Sequence, residues 1–221
     1  MNFNLNDNPI MRGLARIFDL VVLNLLFIIC SVPIITIGAS TTAMYAVTLK
    51  MVKNEEGYIV KGFLQAFKEN FKMSTKAWLI MFPVSLLVYI NILLSMEMPS
   101  LGSLFMVIFI IIGMLVIFVG VYVYPLIARY ENSLKATFRN ALLLAIGRLP
   151  YTILLVIIHV APVIITVIDL HTFVYGIMIW LMIGFSLINW CCSMILRRVF
   201  VIFDEKENEE AANQIEDKDE A

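Results

Sequence analysis

The sequence predicts an all-α fold, a polytopic bundle of transmembrane helices. The first observation is a pair of charge gaps. Between Ala77 and Ala128 the only Asp, Glu, Lys or Arg is Glu97, and between Leu149 and Leu196 the only one is Asp169. A bilayer core about 30 Å thick takes roughly 20 apolar residues per helix, so each gap holds two crossings with a short turn at its acid. The second observation is composition. The chain is 61% hydrophobic with mean hydropathy +0.91, an excess that a water-soluble domain would expose as large apolar patches. The third is period. A stretch such as Phe105-Met-Val-Ile-Phe-Ile-Ile-Ile112 is continuously apolar. The alternation of a barrel strand is missing, which leaves helices as the way to satisfy the backbone in lipid.

Five strong spans follow in order, at about 17–37, 77–96, 101–128, 149–168 and 172–196. Their sidedness follows from Lys and Arg. The turns at Met96–Ser100 and Asp169–Thr172 hold none, whereas Lys50–Lys76 holds six, Arg129–Arg148 holds four, and Arg197, Arg198 and Lys206 follow the last span. The long segments and the C-terminus are therefore expected in the cytoplasm. Arg12 and Arg16 ask the same of the N-terminus, and one span cannot join two cytoplasmic ends. Either the N-terminus lies outside, or residues 36–52 return as a weaker sixth crossing or a re-entrant helix. That stretch is rich in small residues, with Ala39 and Ala43, and Thr42 and Ala46, at small-xxx-small spacing. This suits a helix packed among others, with the turn made by Pro33 and Gly38.

Two cytoplasmic segments read as interfacial amphipathic helices, 59–74 and 132–147. In the first, Val60, Phe63, Leu64, Phe67 and Phe71 share one face and Lys61, Gln65, Lys68, Lys72 and Lys76 another. In the second, Leu134, Phe138, Ala141, Leu142 and Ala145 form the apolar face. An apolar face beside a basic stripe is the pattern of a helix lying in the headgroup plane. The strings Leu64-Gln-Ala-Phe-Lys-Glu-Asn70 and Leu134-Lys-Ala-Thr-Phe-Arg-Asn140 match in outline. They point to a unit of interfacial helix plus hairpin used twice as a parallel repeat. Residues 204–221 carry nine acids and two lysines, the composition of a disordered acidic tail.

From Gly13 to Trp78 the chain resembles the YesL-like family of small bacterial membrane proteins. The resemblance is carried by Asn24-Leu-Leu, Cys30-Ser-Val-Pro33, Thr36-Ile-Gly38, Thr42-Ala-Met-Tyr45, Gly57-Tyr, Phe63 and Phe67-Lys-Glu-Asn70-Phe71. It implies a domain of unknown biochemical function, often encoded near ABC-type carbohydrate importers. It therefore implies a role alongside carbohydrate uptake, with importer subunits as partners, and a structural or partner role for Asn24, Pro33, Thr36, Gly38, Thr42, Tyr45, Phe67, Asn70 and Phe71.

Chemistry is sparse. His159, Asn91 and Asn189 are polar groups inside apolar spans, and intramembrane polar groups are candidates for a site. The plainer reading is interhelical hydrogen bonding, for His159 to a carbonyl freed by Pro162. Asp19 reads as the ion-pair partner of Arg16, three residues earlier. Cys30, Cys191 and Cys192 lie in apolar stretches without ligand spacing and read as small buried residues. No phosphate loop, zinc helix motif or nucleophile with an adjacent base is present in the sequence. The expected function is thus a non-enzymatic protein of the plasma membrane, accessory or regulatory to carbohydrate uptake. No catalytic, cofactor or metal residue is assigned, and no nucleic-acid partner. The alternative is a permease subunit or small secondary carrier, in which His159, Asn91 and Asn189 converge on a midplane cavity.

Overall fold

The computed structural model describes residues 9–98 and 101–201; the acidic tail lies outside them. Helix α1 spans Pro9–Ser31 and ends where Pro33 disfavours helix at the residue before it. A single 3₁₀ turn, Ile34–Thr36, leads into α2, Ile37–Met51. Then come α3, Ile59–Met96, α4, Gly102–Arg129, α5, Leu134–Gly147, and α6, Leu149–Val167. The last helix, α7, spans Leu170–Val201 and contains a π-turn at Trp180–Gly184. Among the described residues, five helices (α1, α3, α4, α6 and α7) are long and apolar enough to cross a membrane.

The first span starts and stops earlier than its expected 17–37, because the chain turns at Val32-Pro33. Thr36 Oγ closes that turn, donating to the carbonyls of Cys30 and Pro33, both at 2.6 Å. Gly38 has a different job from the expected one. It is already inside α2, and a Cβ there would stand 2.6 Å from the Ser74 carbonyl oxygen and 2.8 Å from Trp78 Cβ. Gly38 lets α2 and α3 approach closely, and Ser74 Oγ donates to Thr42 Oγ1 one turn on, at 2.8 Å.

The second correction concerns α3. The expected interfacial helix 59–74 and the span 77–96 form one unbroken rod of 38 residues, about 57 Å long at ~1.5 Å per residue. That exceeds the ~30 Å hydrocarbon core, so one half of the rod stands beyond it. The aromatic face of the first half packs on protein: Phe63 is fully buried with Leu20 and Leu23 of α1 and Met44 and Val47 of α2. The Lys stripe stays exposed.

One end of the bundle gathers the basic residues. Arg16 donates to Asn54 Oδ1 at 2.8 Å and pairs with Glu56, in the connection from α2 to α3. Glu56, not Asp19, is its ion-pair partner. Asn54 takes φ 56°, a left-handed conformation that Asn tolerates. The start of α1 and the end of α2 therefore lie at the same end. Arg197 of α7 reaches the Val52 carbonyl at 3.4 Å, and Arg129 lies 5.2 Å over the Phe200 ring, which brings in the ends of α4 and α7. Helix α2 is thus a returning helix. Its 15 residues span about 22 Å, short of a full crossing, and two thirds of them are buried, which only a helix enclosed by others can achieve. The main core sits towards the basic end, where Tyr122 and Leu126 of α4, Ala141 and Ala145 of α5, Leu155 of α6, and Leu196 and Phe200 of α7 meet.

Candidate functional site

Several polar side chains inside the bundle join helices, while Ser40 Oγ, Thr75 Oγ1, Tyr124 OH and Asn189 Oδ1 are buried without a partner among the described residues. Asn24 of α1, fully buried, donates to the carbonyls of Trp180 and Leu181 at 3.0 and 2.9 Å and accepts from the Ser186 N–H at 3.1 Å. The two carbonyls lie in the π-turn of α7 and the N–H lies just after it. A π-turn displaces the usual i→i−4 pairing, and an unpaired backbone group in lipid costs several kcal/mol. One amide side chain satisfies all three. Thr48 and Ser193 join α2 to α7 at 2.7 Å, and Tyr122 and Thr152 join α4 to α6 at 3.0 Å.

His159 sits on α6 among three partners. Its Nδ1 lies 2.8 Å from the Leu155 carbonyl, which only accepts, so Nδ1 carries the proton. Nε2 is then free to accept from the Tyr45 hydroxyl of α2, at a long 3.4 Å. The bond to Leu155 differs from the expected one, since Pro162 frees the carbonyl of Ile158. Cys192 Sγ of α7 lies 3.5 Å from Nδ1. A cysteine does therefore lie beside an imidazole, which the sequence spacing concealed. The pair is poorly built for nucleophilic chemistry, because Cys192 is fully buried and the nitrogen facing it is already protonated.

His159 and Tyr45 form part of the wall of an apolar groove of about 370 Å³ between α2, α3, α4 and α6. Trp78, Phe82 and Ile117 line it, as does Tyr124, whose hydroxyl is buried and bonded to no group among the described residues. Ser85 and Thr41 also reach the groove but spend their hydroxyls on the carbonyls of Met81 and Ile37. Asn91 and Asn189 do not join His159. Asn91 donates to Leu87 of its own helix at 2.8 Å, Asn189 to Phe185 of its own helix at 3.4 Å, and neither lines the groove. Among the described residues no three His, Cys, Asp or Glu side chains are placed to hold a metal ion.

Of the residues that carry the resemblance, Asn24, Thr36, Gly38, Thr42 and Tyr45 all make the contacts between elements given above. Phe67 lies between Phe63 and Phe71 along α3, with ring centroids 6.3 and 5.5 Å away, and Asn70 bonds back to the Ala66 carbonyl at 3.0 Å. Residues 20–92 match the family model described as "Protein of unknown function, DUF624". Over that stretch, about a third of the chain, the sequence is similar to the DUF624 family. The uncharacterized protein YteU of Bacillus subtilis (strain 168) is 24% identical over 138 residues, covering 62% of this chain and 62% of that relative's length. No solved structure matches. The DUF624 stretch ends before α4, so it contains Asn24, Gly38 and Tyr45 but not His159 or Cys192.

Proposed function

We propose that this chain is a non-enzymatic accessory or regulatory protein of the plasma membrane, with its C-terminus in the cytoplasm, working beside carbohydrate uptake. The observation that carries the accessory reading is that the interior polar groups do not converge on one path, although Asn189 Oδ1 is buried without a partner among the described residues. Asn24, Thr48, Ser74 and Thr152 bond to neighbouring helices, and Asn91 and Asn189 stay on their own helices instead of lining a path with His159. A carrier for sugars needs convergent, accessible hydrogen-bonding groups near the midplane. The orientation is supported by the gathering of Arg16, Lys50, Lys53, Arg129 and Arg197 at one end. The link to carbohydrate uptake, with ABC-type importer subunits as partners, rests on the YesL-like resemblance. The exposed stripe Lys61, Lys68, Lys72 and Lys76 is the contact surface in this reading.

One observation favours the carrier instead. The groove beside His159 offers an unspent Tyr124 hydroxyl. The two readings separate in an affinity pull-down from mild detergent with mass spectrometry of the partners. Importer subunits recovered with the native chain, and lost when the four lysines are changed to Gln, are the expected result. Recovery of the chain alone, together with sugar uptake in proteoliposomes that falls on Tyr124→Phe, would overturn the accessory reading in favour of the carrier.

A further inference from the structure

The first half of α3 carries a face that no described residue covers. Lys61, Lys68, Lys72 and Lys76 are exposed along it, and among the described residues no carboxylate pairs with any of them. Beside the lysines, Tyr58, Val60 and Leu64 are exposed as well, Tyr58 at 87%. Large apolar side chains grouped in the open beside a basic row mark a surface with a partner. We infer that this partner is the chain's own acidic segment, residues 204–221, which docks along α3 from Tyr58 to Lys72 and covers the face.

Three observations name that occupant. The first is charge. Residues 204–221 hold nine acids and two lysines, whereas the only acid between Ile59 and Lys76 is Glu69, whose carboxylate accepts from Gln65 at 2.8 Å. Exposed ion pairs are each worth little, so a row of them is needed, and a tether adds an effective concentration of about millimolar order. The second is path. The last described residue is Val201. Arg197, one turn earlier, reaches the Val52 carbonyl and shares a hollow with Lys50. Lys50 also borders a hollow of about 290 Å³ with Lys61 and Gln65. Tyr58, Lys61 and Gln65 are common to that hollow and to a more open one of about 610 Å³, which continues to Val60, Leu64 and Lys68. A trough therefore leads from the end of α7 onto α3. Glu55 and Glu56 line its start, but Glu56 is paired with Arg16 and Glu55 shares the first hollow with Lys50, Lys53 and Arg197. The third is length and pattern. Fully extended, residues 202–221 reach about 66 Å at ~3.3 Å each, and Lys61 to Lys72 spans only about 17 Å of helix. Ile215 is the one large apolar residue of 204–221, with Glu209 and Glu210 before it and Glu216 and Asp217 after it. That pattern matches an apolar floor of Val60 and Leu64 beside Lys61 and Lys68. Docked there, the segment covers the surface assigned above to importer subunits, so segment and partner exclude one another. That consequence rests on the accessory reading; the docking does not.

The test uses the full chain in neutral detergent and in nanodiscs of phosphatidylcholine or phosphatidylglycerol. Lysine exposure is read as acetylation rate by mass spectrometry. Contacts are read by zero-length carbodiimide coupling of carboxylates to lysines, in a mixture of unlabelled and heavy-isotope chains. No importer is present, so a failed docking and a failed importer pull-down are told apart. Removing residues 207–221 should speed acetylation of Lys61 and Lys68 about tenfold and leave Lys135, exposed on α5, unchanged. Changing Glu207, Glu209, Glu210, Glu216 and Asp217 to their amides keeps the length and should act in the same direction, as should salt at about 0.5 M by screening. Tm checks that both variants keep the core. Coupling in the native chain should join 204–221 to Lys61 or Lys68 within one chain. Equal rates with and without the segment, or equal speeding at Lys135, would overturn the proposal. So would isotope-mixed coupling products, which would put a second copy on the face, and protection found only with phosphatidylglycerol, which would give the face to lipid.

Discussion

The helix after Tyr58 and the helix after Ser133 carry similar strings, at 64–70 and 134–140, yet the first runs 38 residues without a break and the second stops after 14. Pairing Leu64 with Leu134 sets Ala77 against Gly147, Trp78 against Arg148 and Ile80 against Pro150. In α3 the junction is therefore made of helix-tolerant residues, and Ala77 is fully buried, so the rod continues. In the second copy Gly147 ends α5, and Arg148 leaves the helical region at φ −129°, ψ 43°. Proline alone does not explain the break, because Pro83, Pro125 and Pro162 all sit inside continuous helices. Pro150 stands in the first turn of α6, where its missing N–H would have had no partner anyway. The corner is pinned by Thr152, whose hydroxyl lies 2.9 Å from the Ala145 carbonyl and 3.1 Å from that of Arg148. The same amphipathic string thus makes half of a rod in one place and a separate helix in the other, and a few junction residues decide which.

The largest effect should come from copying the corner into the rod. Ala77→Gly with Ile80→Pro removes a buried methyl and the backbone bond from residue 80 to Lys76. A helix-interior proline costs about 3 kcal/mol and a glycine about 1, so the variant should lose roughly 4 kcal/mol. In detergent it should lose its single size-exclusion peak or melt far below the native chain. Retention of the native Tm would mean that the junction residues do not decide the length of α3.

This contrast also marks what the sequence made legible. The charge gaps located helices long and apolar enough to cross a membrane, and the small residues of 36–52 pointed to a helix packed among others, which is buried over most of its length, because both signals are local and large. The continuity of α3 was hidden because an apolar face beside a lysine stripe looks the same whether it meets lipid or, like Phe63, meets α1 and α2. Asn24 was legible as a polar residue in a span, but its partners lie on a π-turn more than 150 residues away, and no periodicity announces that turn. His159 was legible as a candidate, whereas its neighbours Tyr45 and Cys192 come from two other helices. Asn91 and Asn189 share its polarity but not its place, since depth along a helix and direction around it are fixed only by packing.

A smaller effect sharpens the account of the corner. Thr152→Val keeps the shape of the side chain and removes the hydroxyl from Ala145, Arg148 and Tyr122 at once. Membrane hydrogen bonds average ~0.6 kcal/mol and reach ~1.7, so the loss should be about 1 to 2 kcal/mol, read as a lower Tm with an unchanged elution volume. Tyr122→Phe should cost less, because it leaves the two carbonyl contacts in place. Equal losses would place the stabilisation in the contact between α4 and α6 and not in the corner itself.

The smallest effect distinguishes the two residues that could make the corner. Pro150→Ala restores an N–H at a first-turn position, where it gains no helical partner while Arg148 stays non-helical. The change should stay within about 1 kcal/mol, mostly through the greater freedom of the unfolded chain. Distances between spin labels placed on exposed Leu143 and exposed Ile153 should match those of the native sequence. Gly147→Ala is the sharper partner, since it removes the residue that most readily ends α5 while leaving Pro150 in place. If Pro150→Ala alone straightened α5 and α6 into one rod like α3, with the labels moving apart, proline would be the cause of the corner and Gly147-Arg148 its consequence.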